Sequence, residues 1–182
     1  MVLGFLPNLG ALAPALRERF DPIVCALRTG NLLLFKKAMS WFEDDWIHCG
    51  IYLMLSRLEL LVFRALVIKV FVTRQRMKVN GPNKIKLKEI RAALHIRNGQ
   101  YRASEFGRRF EGERKGQDAE DVEGAMVDEI DEDEIECLLS TLIHKKLVQG
   151  YVAHGIACVL SADPAKAFPP IKQCKRWWVN DF

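Results

Sequence analysis

The chain has 182 residues, 49% hydrophobic and 27% charged, with a formal net charge of +4. That balance supports one or two small domains with a true core and excludes a disordered or fibrous protein. The modest net charge hides an asymmetry. Residues 113–136 hold 12 of the 23 acidic residues and only two basic ones, leaving 25 basic against 11 acidic elsewhere, a charge of +14. A remainder that basic suits a polyanionic partner.

Before the first regular element, the run MVLGFLPNLGALAPAL lacks a basic start and is broken by Pro7 and Pro14, so it reads poorly as a signal peptide. Helices are expected over Pro22–Arg28 and Asn31–Trp41, joined at Thr29-Gly30, with Asn31 placed to cap the second. A short helix over Asp44–Cys49 follows. Gly50–Arg74 reads as one long helix, apolar on most sides and so buried on most sides. Within it Gly50–Val72 is long and apolar enough to suggest a membrane span, but Arg57, Glu59, Arg64 and Lys69 would each cost about 2.5–3.5 kcal/mol in hydrocarbon, so a buried helix and no membrane contact are expected.

Val79–Lys84, with Gly81-Pro82, is expected as a loop, Ile85–Leu87 as a strand, and Lys88–Ile96 as a short helix burying Ile90, Ala93 and Leu94. From Asn98 to about Asp128 the chain is polar and almost free of periodicity, basic at first and acidic after Gly116. It reads as a flexible insertion. The clearest element comes next. Asp131, Glu132, Asp133 and Glu134 favour the start of a helix and Lys145 and Lys146 its end, with Ile135, Leu138, Leu139, Leu142 and Ile143 on one buried face. Val148–Val152 and Ile156–Leu160 then form a hairpin turning at His154-Gly155. A helix feeding a hairpin in this way is the end of a winged helix.

The fold expected is therefore mainly α: residues 1–78 as the C-terminal part of a helical-repeat array, 79–171 as a winged helix with a small β-hairpin wing and an insertion at about 98–128, and 172–182 as a tail. The opening helices are few and very apolar for a free terminus. Either a longer array or a partner is expected to cover them.

Five cysteines, an odd number without a C-x-x-C pair, are intracellular usage and not a disulfide framework. Neither catalysis nor a cofactor is expected. His48 and Cys49 are adjacent, so their side chains diverge on a helix, and His95, His144 and His154 lack zinc spacing. Between Arg64 and Arg109 there are 13 basic residues against Glu89 and Glu105. The candidate nucleic-acid contacts are Arg64, Lys69, Arg74, Arg76, Lys78, Lys84, Lys86 and Lys88, with Lys145 and Lys146 at the end of the late helix. An acidic protein partner and a plain solvated face are the competing readings. The acidic first turn of the late helix argues against insertion into a DNA major groove, because helix-turn-helix readers aim that end at the bases. Candidate partner contacts are Phe35, with Trp41, Phe42 and Trp46, which crowd a helix junction where core packing is the stronger reading and a groove for an acidic partner's apolar anchors the other, and Tyr151 and Val152 on the hairpin, whose edge is open to another strand.

Four stretches, LRTGNLLLF, CGIYLMLSRLELLVFRALVIKVF, DEIECLLSTLIHKKLVQGYVAH and the closing VLS with FPP, resemble a PCI domain, the helical-plus-winged-helix module of the proteasome lid, the COP signalosome and translation initiation factor three. The resemblance covers about Phe20–Ile171. Within the family it is nearest to the PCI-domain subunit of the nuclear transcription-and-export complex, and next to its signalosome-associated relative. Ala65 stands where that family's asparagine is expected. The resemblance implies a non-enzymatic scaffold in a hetero-oligomeric mRNA-export complex in the nucleus, at the nuclear pore, with some in the cytoplasm. It also implies three partners: a larger PCI-type scaffold joined through the winged helix, a small acidic disordered protein of the proteasome-lid type, and RNA or DNA. A signalosome- or splicing-associated scaffold is the alternative.

Overall fold

The computed structural model describes residues 8–77, 81, 83–103, 130–154, 157–161 and 163–174. After a 3-10 turn at Leu9–Ala11, α1 runs over Pro14–Thr29, α2 over Leu32–Trp41, α3 over Glu43–His48, α4 over Tyr52–Ser56 and α5 over Glu59–Arg76. Strand β1 (Lys84–Lys86) leads straight into α6 (Leu87–Ala103). Beyond the insertion, α7 (Glu132–His144) is followed by β2 (Gly150–Ala153), β3 (Ala157–Leu160), the single turn α8 (Pro164–Ala167) and a 3-10 turn at Ile171–Gln173.

Helix α1 begins eight residues before Pro22, where the sequence first suggested it, with Pro14 at its first position. Its opening turns are exposed and carry no apolar stripe, so periodicity could not show them. Gly30 closes α1 with φ +69, and its N–H donates to the Ala26 carbonyl at 2.8 Å. A Cβ at Gly30 would lie 2.7 Å from the Leu66 backbone nitrogen, so the same glycine also lets α1 approach α5. Asn31 caps α2 as expected, its Oδ1 accepting from the Leu34 N–H at 3.0 Å.

The long helix expected over 50–74 is two helices. Gly50 adopts φ +69, and the chain tightens at Leu58, whose N–H donates to the Leu55 carbonyl at 2.9 Å. The break redirects the chain so that Leu55 and Leu58 are both buried while Leu53 and Met54 face out. Helix α5 is the spine of the fold. Val62, Phe63, Leu66, Val67 and Phe71 are fully buried, and it packs against α1, α2, α6 and α7.

Helix α6 runs to Ala103, past Asn98, so the start of the expected insertion is helical; residues 104–129 lie outside those described. Helix α7 carries the expected face: Ile135, Leu139 and Leu142 are buried, Leu138 and Ile143 half-buried. The Asp131 side chain caps it, accepting from the Glu134 N–H at 2.7 Å. The three strands form an antiparallel sheet in the order β1-β3-β2. At Gly150 a Cβ would lie 2.3 Å from the Val159 carbonyl oxygen, so only glycine allows the wing strands to close here. A mostly helical array followed by a winged helix is thus the observed architecture, with one continuous apolar cluster from Ile23 to Cys174 beneath both parts.

Candidate nucleic-acid and partner interface

The basic residues picked out by sequence separate into two groups once folded. Arg64 is buried at 9% exposure; its Nε donates to the Leu147 carbonyl at 2.9 Å and its Nη2 to the Pro169 carbonyl at 2.7 Å. Burial lowers its pKa from the usual arginine value. Arg74, at 8% exposure, forms an ion pair with Glu89 and donates to the Gly81 carbonyl at 3.2 Å. Glu89 is held in turn by the Lys86 N–H at 3.1 Å. Both guanidiniums are committed to the interior, which corrects their assignment as phosphate contacts. Lys69 is half-buried and donates to the Thr29 carbonyl at 2.8 Å; burial first, and then Arg97 nearby, pull its pKa down.

The second group faces solvent. Arg76, Lys84, Lys86, Lys88 and Lys146 are exposed and Lys145 half-buried, while Lys78 lies outside the described residues. Lys146 takes a left-handed backbone with φ 57, turning the chain out of α7 toward the wing. Cross-strand register places Lys84 opposite Val159, which is itself opposite Tyr151. Lys84, Lys86 and Tyr151 therefore share one face of the sheet, and Ile85, Cys158 and Val152 the other. Tyr151 is 63% exposed. The lysine–isoleucine–lysine alternation of β1 was visible in the sequence, but its alignment with Tyr151 depends on register and was missed.

The aromatic candidates fare differently. Phe35 and Trp46 are core residues at 2% exposure each, so neither is available to a partner, which corrects that assignment. Trp46 packs against Phe20 at 5.1 Å and Phe42 at 6.0 Å between ring centroids, and Trp41 and Phe42 are half-buried beside it. Val152 is half-buried on the core side of the sheet. Strand β2 is bonded to β3 along one edge, and among the described residues no strand pairs with its other edge.

A groove of about 490 Å³ between α5 and α6 escaped sequence reading altogether. Val70, Met77, Ala93 and Ile96 line it, together with Lys69, Arg97 and the paired Arg74 and Glu89. No single stretch of chain carries it; it arises from two helix faces, over residues 66–77 and 89–100.

At the wing, the His154 Nδ1 lies 2.8 Å from Glu136 Oε1 of α7, and this hydrogen bond raises the imidazole pKa. Among the described residues no three His, Cys, Asp or Glu side chains gather to hold a metal, and no helix is long and apolar enough to cross a membrane.

No family model matches the chain. Individual proteins do. It is 30% identical over 154 residues to the PCI domain-containing protein 2 homolog of Caenorhabditis briggsae, covering 85% of the chain and 29% of that protein. It is 25% identical over 171 residues to PCI domain-containing protein 2 of Xenopus laevis, covering 94% of the chain and 34% of that protein. Similarity to the Protein CSN12 homolog of Gibberella zeae is 29% over 156 residues, covering 86% of the chain and 30% of that protein. The chain thus spans about a third of the length of the curated relatives it matches.

Proposed function

From the premise that this chain is a PCI-domain protein, related to the PCI domain-containing protein 2 and CSN12 groups, we propose that it is a non-enzymatic scaffold subunit of a nuclear mRNA-export complex. Its winged helix joins a larger PCI-type partner and shares a sequence-nonspecific contact with RNA or DNA. The observation that carries this reading is the open edge of β2 on a winged helix whose would-be recognition helix begins with Glu132, Asp133 and Glu134. Phosphate is repelled by that turn, so the module is better suited to adding a partner's strand along β2 than to reading a groove.

The electrostatic contact falls to Arg76, Lys84, Lys86, Lys88 and Lys146, the exposed cations. A small acidic protein, which the resemblance implies, meets a complementary surface in the α5–α6 groove, where apolar side chains adjoin Lys69 and Arg97. The signalosome-associated reading draws on the CSN12-named relatives and needs the same winged helix with different partners. Affinity purification of the tagged full-length protein from nuclear extract, with mass spectrometry of what co-purifies, separates the two. Recovery of an export-complex PCI scaffold supports the first reading; recovery of signalosome or splicing subunits alone replaces it with the second.

A further inference from the structure

We propose that the solvent face of the wing sheet is a stacking platform for single-stranded nucleic acid, with Tyr151 taking a base and Lys84 and Lys86 the flanking phosphates. This rests on the nucleic-acid reading above and adds a strandedness and a stacking residue to it.

The register carries the argument. Residues directly opposite in an antiparallel pair point to the same side, so Lys84, Val159 and Tyr151 form one row across the sheet and Lys86 begins the next. Strands lie about 4.8 Å apart, which sets Tyr151 roughly 10 Å from Lys84 across a half-buried Val159. Tyr151 is 63% exposed on a short strand, and both lysines are exposed on theirs. None of the three strands contains a carboxylate. Ile85 and Cys158, on the opposite face, are fully buried, so the platform is backed by core and held in place.

A flat aromatic ring between cations is what a single strand uses. Each of its bases offers an open π-face, and each phosphate a charge, whereas a duplex hides the base faces in its own stack and gains only from the lysines. The acidic first turn of α7 does not oppose this. Helix α7 packs against β2 with Ile135 and Leu139 buried, which sets it on the core side of the sheet. Glu136 of α7 is engaged by His154 at 2.8 Å. Stacking on one tyrosine discriminates little between bases, so the site selects strandedness and not sequence.

The test is fluorescence anisotropy of the full chain with a labelled mixed-sequence 12-nucleotide single strand and with the duplex of the same sequence. Tyr151→Ala is expected to weaken single-strand binding by roughly 5-fold or more, and Tyr151→Phe to keep it within about 2-fold, because the ring and not the hydroxyl stacks. Duplex binding is expected to be weaker than single-strand binding and unchanged by either substitution. Lys84→Gln with Lys86→Gln should weaken both. Equal losses on both substrates, no loss with Tyr151→Ala, or tighter duplex binding would overturn the platform while leaving the electrostatic contact in place. Absence of salt-sensitive binding to either substrate would overturn both.

Discussion

Arg64 Nε donates to the Leu147 carbonyl at 2.9 Å across 83 positions of sequence, tying the middle of α5 to the turn between α7 and the wing. With its second bond to the Pro169 carbonyl at 2.7 Å, the guanidinium joins the helical array to both ends of the wing region. Replacing it with Met removes the donors and leaves two carbonyls facing an apolar chain. A loss of about 2–4 kcal/mol is expected, read as a lowered urea midpoint with the slope unchanged. A change under about 0.5 kcal/mol would show that Arg64 is not a structural tie.

Gly30 and Gly50 share a backbone conformation, φ +69 at each, but not their surroundings. An alanine at Gly50 meets nothing within 4 Å, so it costs only the left-handed backbone, about 1 kcal/mol. At Gly30 it also meets the Leu66 backbone 2.7 Å away, forcing α1 off α5. Gly30→Ala is expected to lower the melting temperature clearly more than Gly50→Ala, by roughly 5 °C beyond it for about 2 kcal/mol of added strain. Equal shifts would mean that the helix contact yields without cost.

How far the sequence revealed this molecule can be judged on Asn31 and Arg74. The sequence showed Asn31 as a helix cap, because a cap is a local pattern read three residues ahead. It could not show that the same side chain donates to the Arg97 carbonyl at 3.0 Å, a partner 66 positions away. Arg74 was counted among the surface charges because basic density is local too; its burial against Glu89 depends on how α5 meets α6. Long periodic elements such as α7 were legible for the same reason that the platform was not: periodicity lives on one segment, and register needs two. Sequence likewise placed Trp46 beside Trp41 and Phe42 at a helix junction without telling a groove from a core.

The five thiols differ in reactivity by position. Cys49 and Cys137 are exposed, whereas Cys158 is buried in the sheet and its thiol is pushed up to about 11 by burial. At pH 8 iodoacetamide should modify Cys49 and Cys137 within minutes and leave Cys158 untouched until denaturant is added. Mass spectrometry of the labelled peptides checks it. Early labelling of Cys158 in the native protein would place the sheet's inner face in contact with solvent.

His154 has its pKa raised above 6.5 by its hydrogen bond to Glu136 and then by that carboxylate's charge. A raised folded-state pKa means the contribution is fully present below the unfolded value near 6.5 and is lost as pH rises through the higher folded value. The wing should therefore be tethered to α7 more firmly at pH 6 than at pH 8. An NMR titration of the His154 ring is expected to show a midpoint above 6.5, and Glu136→Gln to return it toward 6.5. A midpoint unmoved by that substitution would assign the shift to another cause.

Salt dependence distinguishes the exposed cations from the buried ones. Each Lys or Arg that meets a phosphate releases counterions, so its loss flattens the plot of log affinity against log salt, by about 0.7 per contact on a single strand. Lys84→Gln with Lys86→Gln should therefore lower the slope by about 1.4, and adding Arg76→Gln and Lys88→Gln should lower it further. Arg64→Met, measured well below its melting temperature, should leave the slope unchanged, because its guanidinium donates to the Leu147 and Pro169 carbonyls and never meets phosphate. Arg74→Gln should behave likewise, since Arg74 is paired with Glu89. Glu132→Ala with Asp133→Ala should not weaken binding, because removing carboxylates from the first turn of α7 takes away repulsion and no contact. A slope lowered by the buried arginines and not by the sheet lysines would mean that nucleic acid approaches from a side that the fold as described keeps closed.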